Sequence, residues 1–217
     1  MASTYSAFFY GTLLHPSILR RVIGHHGTEL EICPALLLHA DYPGVIPYSK
    51  TKELVHGKEL SYEDRAVRGT LVRGLSEKDV SLLDIFEGDE YTREIVSVHP
   101  LAEFTPLSSA DTSDSSIVPT TPPPIPPLSS LSSPLTAHTY IWAKPLSQLR
   151  PELWEYAEFV RTNAWKWVGD GSRDNKDYVE VDKRREMGGV IVRTEIVKEP
   201  GQDEKVMAEK DNEQKME

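Results

Sequence analysis

The spacing of apolar residues along the chain switches between a period of two and a period near 3.6, and the switches predict its elements. Residues 5–10, with Tyr5, Ala7, Phe8, Phe9 and Tyr10, read as a strand stopped by Gly11. Pro16 then fits the first helical position of a short helix over 17–23, with Gly24 just past its end. A second strand is predicted over 30–39, followed by the turn Asp41-Tyr42-Pro43-Gly44. A third runs over 66–75, with Val67, Gly69 and Leu71 on one face. Ser76 caps the next helix, with Asp79 in the place of a capping-box partner and Leu82, Leu83 and Phe86 at helical spacing on the buried side. Ile95, Val96 and Val98 mark another strand, and 138–143 a further one. From Ser147 a helix is expected to about Val168, with Leu153, Trp154, Ala157, Val160 and Ala164 on one face. Tyr178, Val179, Val181 and then 190–192 are expected to close the sheet. The connections read as hairpins and short helices, not as regular strand–helix–strand crossovers. The expected class is α+β, with a mainly antiparallel sheet, curved or closed into a small barrel, and flanking helices.

Composition changes this picture at two places. Residues 101–137 are rich in Ser, Thr and Pro, hold eight of the sixteen prolines and include the run Pro122-Pro123-Pro124-Ile125-Pro126-Pro127. So little apolar surface predicts a disordered insertion. A spacer is the plain role; a PxxP ligand of an SH3 or WW module is the functional one. Residues 197–217 read as a disordered charged tail. The expected organisation is thus one domain in two blocks, 1–100 and 138–196.

The net charge of −10 adds little. Residues 101–137 contribute −3 and 196–217 another −3, which leaves −4 for the rest. No basic stripe stands out, so neither nucleic acid nor anionic lipid is an expected partner. Cys33 is the one cysteine, so no intrachain disulfide can form. No apolar run of membrane-spanning length and no secretory leader are visible, and a cytoplasmic protein is expected, the nucleus not being excluded. The seven histidines show no HxxxH or HExxH spacing, and Cys33 has no partner at zinc spacing. Neither metal nor cofactor is expected.

Two stretches carry candidate chemistry. In Phe8-Phe9-Tyr10-Gly11-Thr12-Leu13-Leu14 a strand enters a Gly and then a helix start. Glycine accepts the positive φ of a tight turn, so successive N–H groups there can converge on an anion such as a carboxylate. A purely structural turn is the plainer reading. In Leu83-Asp84-Ile85-Phe86-Glu87-Gly88-Asp89-Glu90-Tyr91-Thr92-Arg93, Glu87 stands at a helix-to-loop junction. Partial desolvation behind Phe86 would make it a general base. The plainer reading makes Glu87 a surface helix terminator, Tyr91 a core ring and Arg93 the partner of Glu87.

These stretches, together with the Tyr42-Pro43 turn, Gly69-Thr70-Leu71-Val72, Ala137-His138-Thr139-Tyr140-Ile141-Trp142 and Leu153-Trp154-Glu155-Tyr156-Ala157-Glu158-Phe159-Val160, resemble the gamma-glutamylcyclotransferase-like family. They are most similar to the branch with the avirulence-induced plant proteins and their fungal relatives. The resemblance implies a compact β-barrel with flanking helices and one cavity. It implies that Phe9, Tyr10, Gly11, Thr12, Leu13 and Leu14 hold a γ-glutamyl head group through backbone amides, and that Glu87 is the catalytic residue. For Tyr91 two readings stand side by side, a substrate-binding hydrogen-bond donor near Glu87 and a core ring. The implied reaction is cyclisation of a γ-glutamyl amine or amide to 5-oxoproline with release of the amine, an acyl transfer within the substrate. A binding or interaction module without turnover is the alternative on the same fold. Loops at 48–65 and 168–178 would select the leaving group.

Overall fold

Strict alternation of inward and outward side chains is what lets this sheet curl into a ring. In the computed structural model, residues 4–38, 40–41, 46–47, 56–57, 59, 61–109, 117–119, 121 and 123–148 are described. They form β1 (Tyr5–Phe9), a 3-10 turn (Gly11–Leu14), α1 (Pro16–Ile23) and β2 (Glu31–Leu38). The two-residue strands β3 (Ala40–Asp41) and β4 (Ile46–Pro47), then β5 (Ala66–Leu75), α2 (Glu77–Glu87), β6 (Tyr91–Pro100), β7 (Thr105–Pro106) and β8 (Leu135–Trp142) follow. Strand order is β5-β1-β8-β6-β2, and β2 pairs again with β5, so five strands close into a barrel, with β7 added alongside β2. The β1–β8 contact is parallel (Ala7 beside His138); the other pairings are antiparallel. This is the expected α+β class with a mainly antiparallel closed sheet. The ring closes without 178–192, which lie outside the described residues, as do the expected helix beyond Gln148, most of the 41–44 turn and the 197–217 tail.

Each barrel strand contributes to the interior: Phe8, Cys33, Ala35, Leu37, Val67, Leu71, Val98, Ala137 and Ile141. Alternate residues face outward, where Ala7, Phe9, Ile32, Val72 and Tyr140 meet Ile18, Leu19, Val22 and Ile23 of α1 and Val80 and Leu83 of α2. Gly69 is required by close approach: a Cβ there would lie 2.1 Å from the Phe9 carbonyl oxygen and 2.7 Å from the Phe8 ring. Helix boundaries follow the expected chemistry. Pro16 is at the start of α1 and Gly24 ends it in the left-handed region, φ 77°. Ser76 and Asp79 form a reciprocal capping box at the start of α2. On α2, Val80 and Leu83 are buried, while Leu82 and Phe86 are half-buried. Ile95, on the outer face of β6, stands 69% exposed.

Several of the described residues within 101–137 pack on the barrel or hydrogen-bond to it. β7 pairs with β2, the Leu107 N–H donates to Leu30 O at 2.8 Å, and the Leu107 side chain is fully buried. Ile117 and Val118 are buried in the same outer layer. Farther along, Tyr62 Oη donates to Pro126 O at 3.4 Å, the Arg68 guanidinium donates to Pro123 O, and Ser132 Oγ donates to Pro100 O at 2.6 Å. Average composition hides what a few spaced anchors do: three apolar side chains fill ground already prepared by α1 and β2. Among the described residues no helix is long and apolar enough to cross a membrane.

Candidate functional site

The turn after β1 is built by one glycine and two leucines. Tyr10 is extended, Gly11 reverses the chain at φ 64°, and Gly11–Leu14 completes one 3-10 turn. Leu13 and Leu14 are buried and anchor the turn, while Gly11 and Thr12 stay partly exposed. Thr70 Oγ1 donates to Leu14 O at 3.4 Å, which ties the end of the turn to β5. The first N–H groups of such a turn have no partner within it. At Gly11 a Cβ would meet nothing within 4 Å, so the backbone is approachable there. Phe9 is buried in the outer layer, whereas Tyr10 packs toward the barrel interior with its ring stacked 6.4 Å from that of Phe8.

Glu87 is the last residue of α2 and is half-buried. The Gly88 N–H returns to Asp84 O, capping the helix, and a 3-10 turn (Gly88–Glu90) leads into β6. Tyr91, at the start of β6, sets its ring edge-on against Trp142 at 5.4 Å and packs with Phe86 on the outer layer. Packing therefore accounts for the Tyr91 ring. Arg93 grips Asp84, with Nε 2.8 Å from Oδ1 and Nη2 3.3 Å from Oδ2, where the plainer sequence reading put Glu87 in its grasp.

Tyr140 joins these two halves. The Tyr10 phenol donates to the Tyr140 main-chain oxygen, and the Tyr140 phenol donates to Asp84 Oδ1 at 2.9 Å. Burial, the Asp84 charge and hydrogen bond, and the Glu87 charge all push the Tyr140 phenol far above its ordinary range, so it stays a neutral donor. Tyr140 thus meets the residue leading into the turn through its backbone and the last turn of α2 through its phenol. Tyr140 and Asp84 carried no assigned role in the sequence. A signal was present in retrospect for Asp84, the polar member of the otherwise apolar stretch 82–86.

Other candidates find plainer places. Cys33 lies inside the barrel, and burial pushes its thiol up to about 12, which removes the reactive thiolate. His15 is buried beside the turn, and desolvation lowers it to about 4.

Comparison with known proteins finds one family match. Residues 7–112 match the family described as gamma-glutamyl cyclotransferase, AIG2-like. The matched stretch contains the 9–14 turn, Glu87 and Tyr91, and ends before β8. No curated protein matches. Among solved structures, one from Arabidopsis thaliana is 18% identical, covering 88% of this chain and 93% of its own, at a TM-score of 0.43. A second from the same plant is 20% identical, with 83% and 93% covered and a TM-score of 0.40. A gamma-glutamyl cyclotransferase specific to glutathione, from yeast, is 16% identical, with 97% and 96% covered and a TM-score of 0.41.

Proposed function

We propose that this chain cyclises a γ-glutamyl amine or amide to 5-oxoproline and releases the amine, with Glu87 as general base and then general acid. The observation that carries the reading is that one family match spans both the 9–14 turn and Glu87; Tyr10, which leads into the turn, donates to Tyr140 O, and the Tyr140 phenol donates to Asp84, one helical turn before Glu87. The substrate's α-carboxylate would sit on the turn amides, where Gly11 leaves the backbone approachable. At neutral pH the α-amine is mostly an ammonium and cannot attack. The Glu87 carboxylate takes its proton, and the nitrogen lone pair forms the new bond to the γ-carbonyl carbon. As the tetrahedral centre collapses, the bond from that carbon to the leaving nitrogen breaks and Glu87 returns the proton to that nitrogen; the new ring nitrogen sheds its second proton to become the lactam N–H, and the released amine takes up one from solvent as an ammonium. The turn contributes orientation, bending the substrate so that its two ends meet. Tyr91, four residues past Glu87, would border the site through its ring.

The test is direct. Pure protein incubated with glutathione, γ-glutamyl amino acids, γ-glutamyl-ε-lysine and simple γ-glutamyl amines is expected to yield 5-oxoproline from at least one, read by mass spectrometry. Glu87→Gln should lose at least about a hundredfold in turnover with an unchanged circular dichroism spectrum. No 5-oxoproline from any of these compounds, or near-normal cyclisation by Glu87→Gln, overturns the reading.

A further inference from the structure

We propose that Tyr140, Asp84 and Arg93 form a positioning unit that fixes the spacing between the Gly11–Leu14 turn and Glu87 during cyclisation; this rests on the function proposed above. None of the three needs to touch substrate. They act on where Glu87 stands.

The case begins with register. Arg93 and Tyr140 are direct cross-strand partners on β6 and β8, and both clasp the same carboxylate, that of Asp84. Asp84 lies one helical turn before Glu87, so the two share a side of α2. The main-chain oxygen of Asp84 also receives the Gly88 N–H, the first amide after Glu87. The last turn of α2 is therefore held by its backbone at the cap and by one carboxylate against two strands. An ion pair as exposed as Arg93–Asp84, with side chains 31% and 41% exposed, orders little by itself. The phenol of Tyr140 changes that, because its ring is buried in the outer layer and cannot follow a wandering partner. Donors from two strands to one carboxylate leave it little freedom to rotate.

The other end of Tyr140 makes the link. Its main-chain oxygen takes the Tyr10 phenol proton, and Tyr10 is the residue that leads into the turn. One strand position thus holds the proposed anion-binding turn through its backbone and the proposed base through its side chain. Reactions that depend on near-attack geometry lose about a hundredfold for a displacement of about 1 Å. A unit of this kind shows in kcat, since substrate still binds the turn when the base is loosened.

Tyr140→Phe removes the phenol oxygen and keeps both the ring and the main-chain acceptor. It should lower kcat about tenfold with KM changed less than about twofold. In a Glu87→Gln background the same substitution should cost nothing more, because its effect passes through Glu87. Asp84→Asn should repeat the pattern and serves in its place should Tyr140→Phe not fold. Amide hydrogen exchange supplies a readout independent of turnover: Tyr140→Phe should quicken exchange over 88–91 while α1 keeps wild-type rates. A wild-type kcat in Tyr140→Phe, or a loss that persists in full on Glu87→Gln, overturns the proposal. If the wild-type protein makes no 5-oxoproline, the function reading fails, and exchange alone decides this unit: unchanged rates over 88–91 overturn it.

Discussion

Inside the barrel, Phe8, Val67, Leu71, Val98 and Ile141 surround Cys33 and admit no charged group, whereas the layer between barrel and helices buries His15, Asp79 and Tyr140 to 4% exposure each. The difference follows from what each space has to offer a polar atom. A closed ring spends its backbone N–H and C=O groups on its own ladders, so a polar side chain pointing inward finds few partners. Thr139 is an inward exception, and its hydroxyl must reach the Phe8 main-chain oxygen at 3.0 Å. The outer layer is bordered by helix ends and loops, which supply carboxylates and free amides. Asp79 receives the Ser76 N–H at 2.9 Å and the Ser76 hydroxyl at 2.8 Å, and the Nε2 of His25 donates to it at 2.9 Å. The proposed base, too, belongs to this outer border.

Substitutions can break or sharpen that contrast. The largest effect is expected inside the ring: Phe8→Ala should cost about 4 kcal/mol by denaturant unfolding, since no neighbouring element can collapse into the space. Leu107→Ala tests whether the insertion is part of the outer layer. A buried anchor should cost about 3 kcal/mol, while a loss under about 0.5 kcal/mol would return that segment to the status of a spacer. Acid should strike the outer layer first. His15 is lowered to about 4 in the folded chain, so the unfolded chain takes up its proton more readily. Stability is then full above about pH 6.5 and falls by about 3 kcal/mol as pH drops to about 4. His15→Gln should flatten that slope. The smallest effect is at the α2 cap. Burial raises the Asp79 carboxyl, but the Ser76 hydrogen bonds and His25 outweigh it and bring it below the ordinary value. Asp79→Ala should cost about 1 kcal/mol at neutral pH and progressively less as pH falls through the folded-state value.

Local chemistry was legible where it is decided by neighbours in sequence. Gly11, Pro16, Gly24 and the Ser76–Asp79 box all stand where their backbone preferences put them. The face shared by Val67, Gly69 and Leu71 is the inner face of β5, because a period of two leaves no other choice. What remained hidden depends on residues far apart in the chain. Arg93 stands six residues from Glu87 in sequence, and proximity made Glu87 the natural partner. The fold instead sets Arg93 beside Tyr140, and together they meet Asp84. Leu107, Ile117 and Val118 were masked by Ser, Thr and Pro around them, since a mean over the segment carries no information on three well-placed side chains. Glu87 was legible as a helix-to-loop junction, but the Tyr10–Tyr140 and Tyr140–Asp84 hydrogen bonds that link turn and helix were not, because they run through β8, which begins some fifty residues later.

The parallel contact of Ala7 with His138 has a consequence for synthesis on the ribosome. The first strand to emerge has β5 as an early neighbour but must wait for β8 on its other side until more than a hundred further residues have been translated. Until then the sheet is an open ribbon with an unsatisfied margin, the kind of margin to which other chains adhere. Stalled or truncated products ending before Trp142 should therefore be clients of chaperones, and the finished chain should not be.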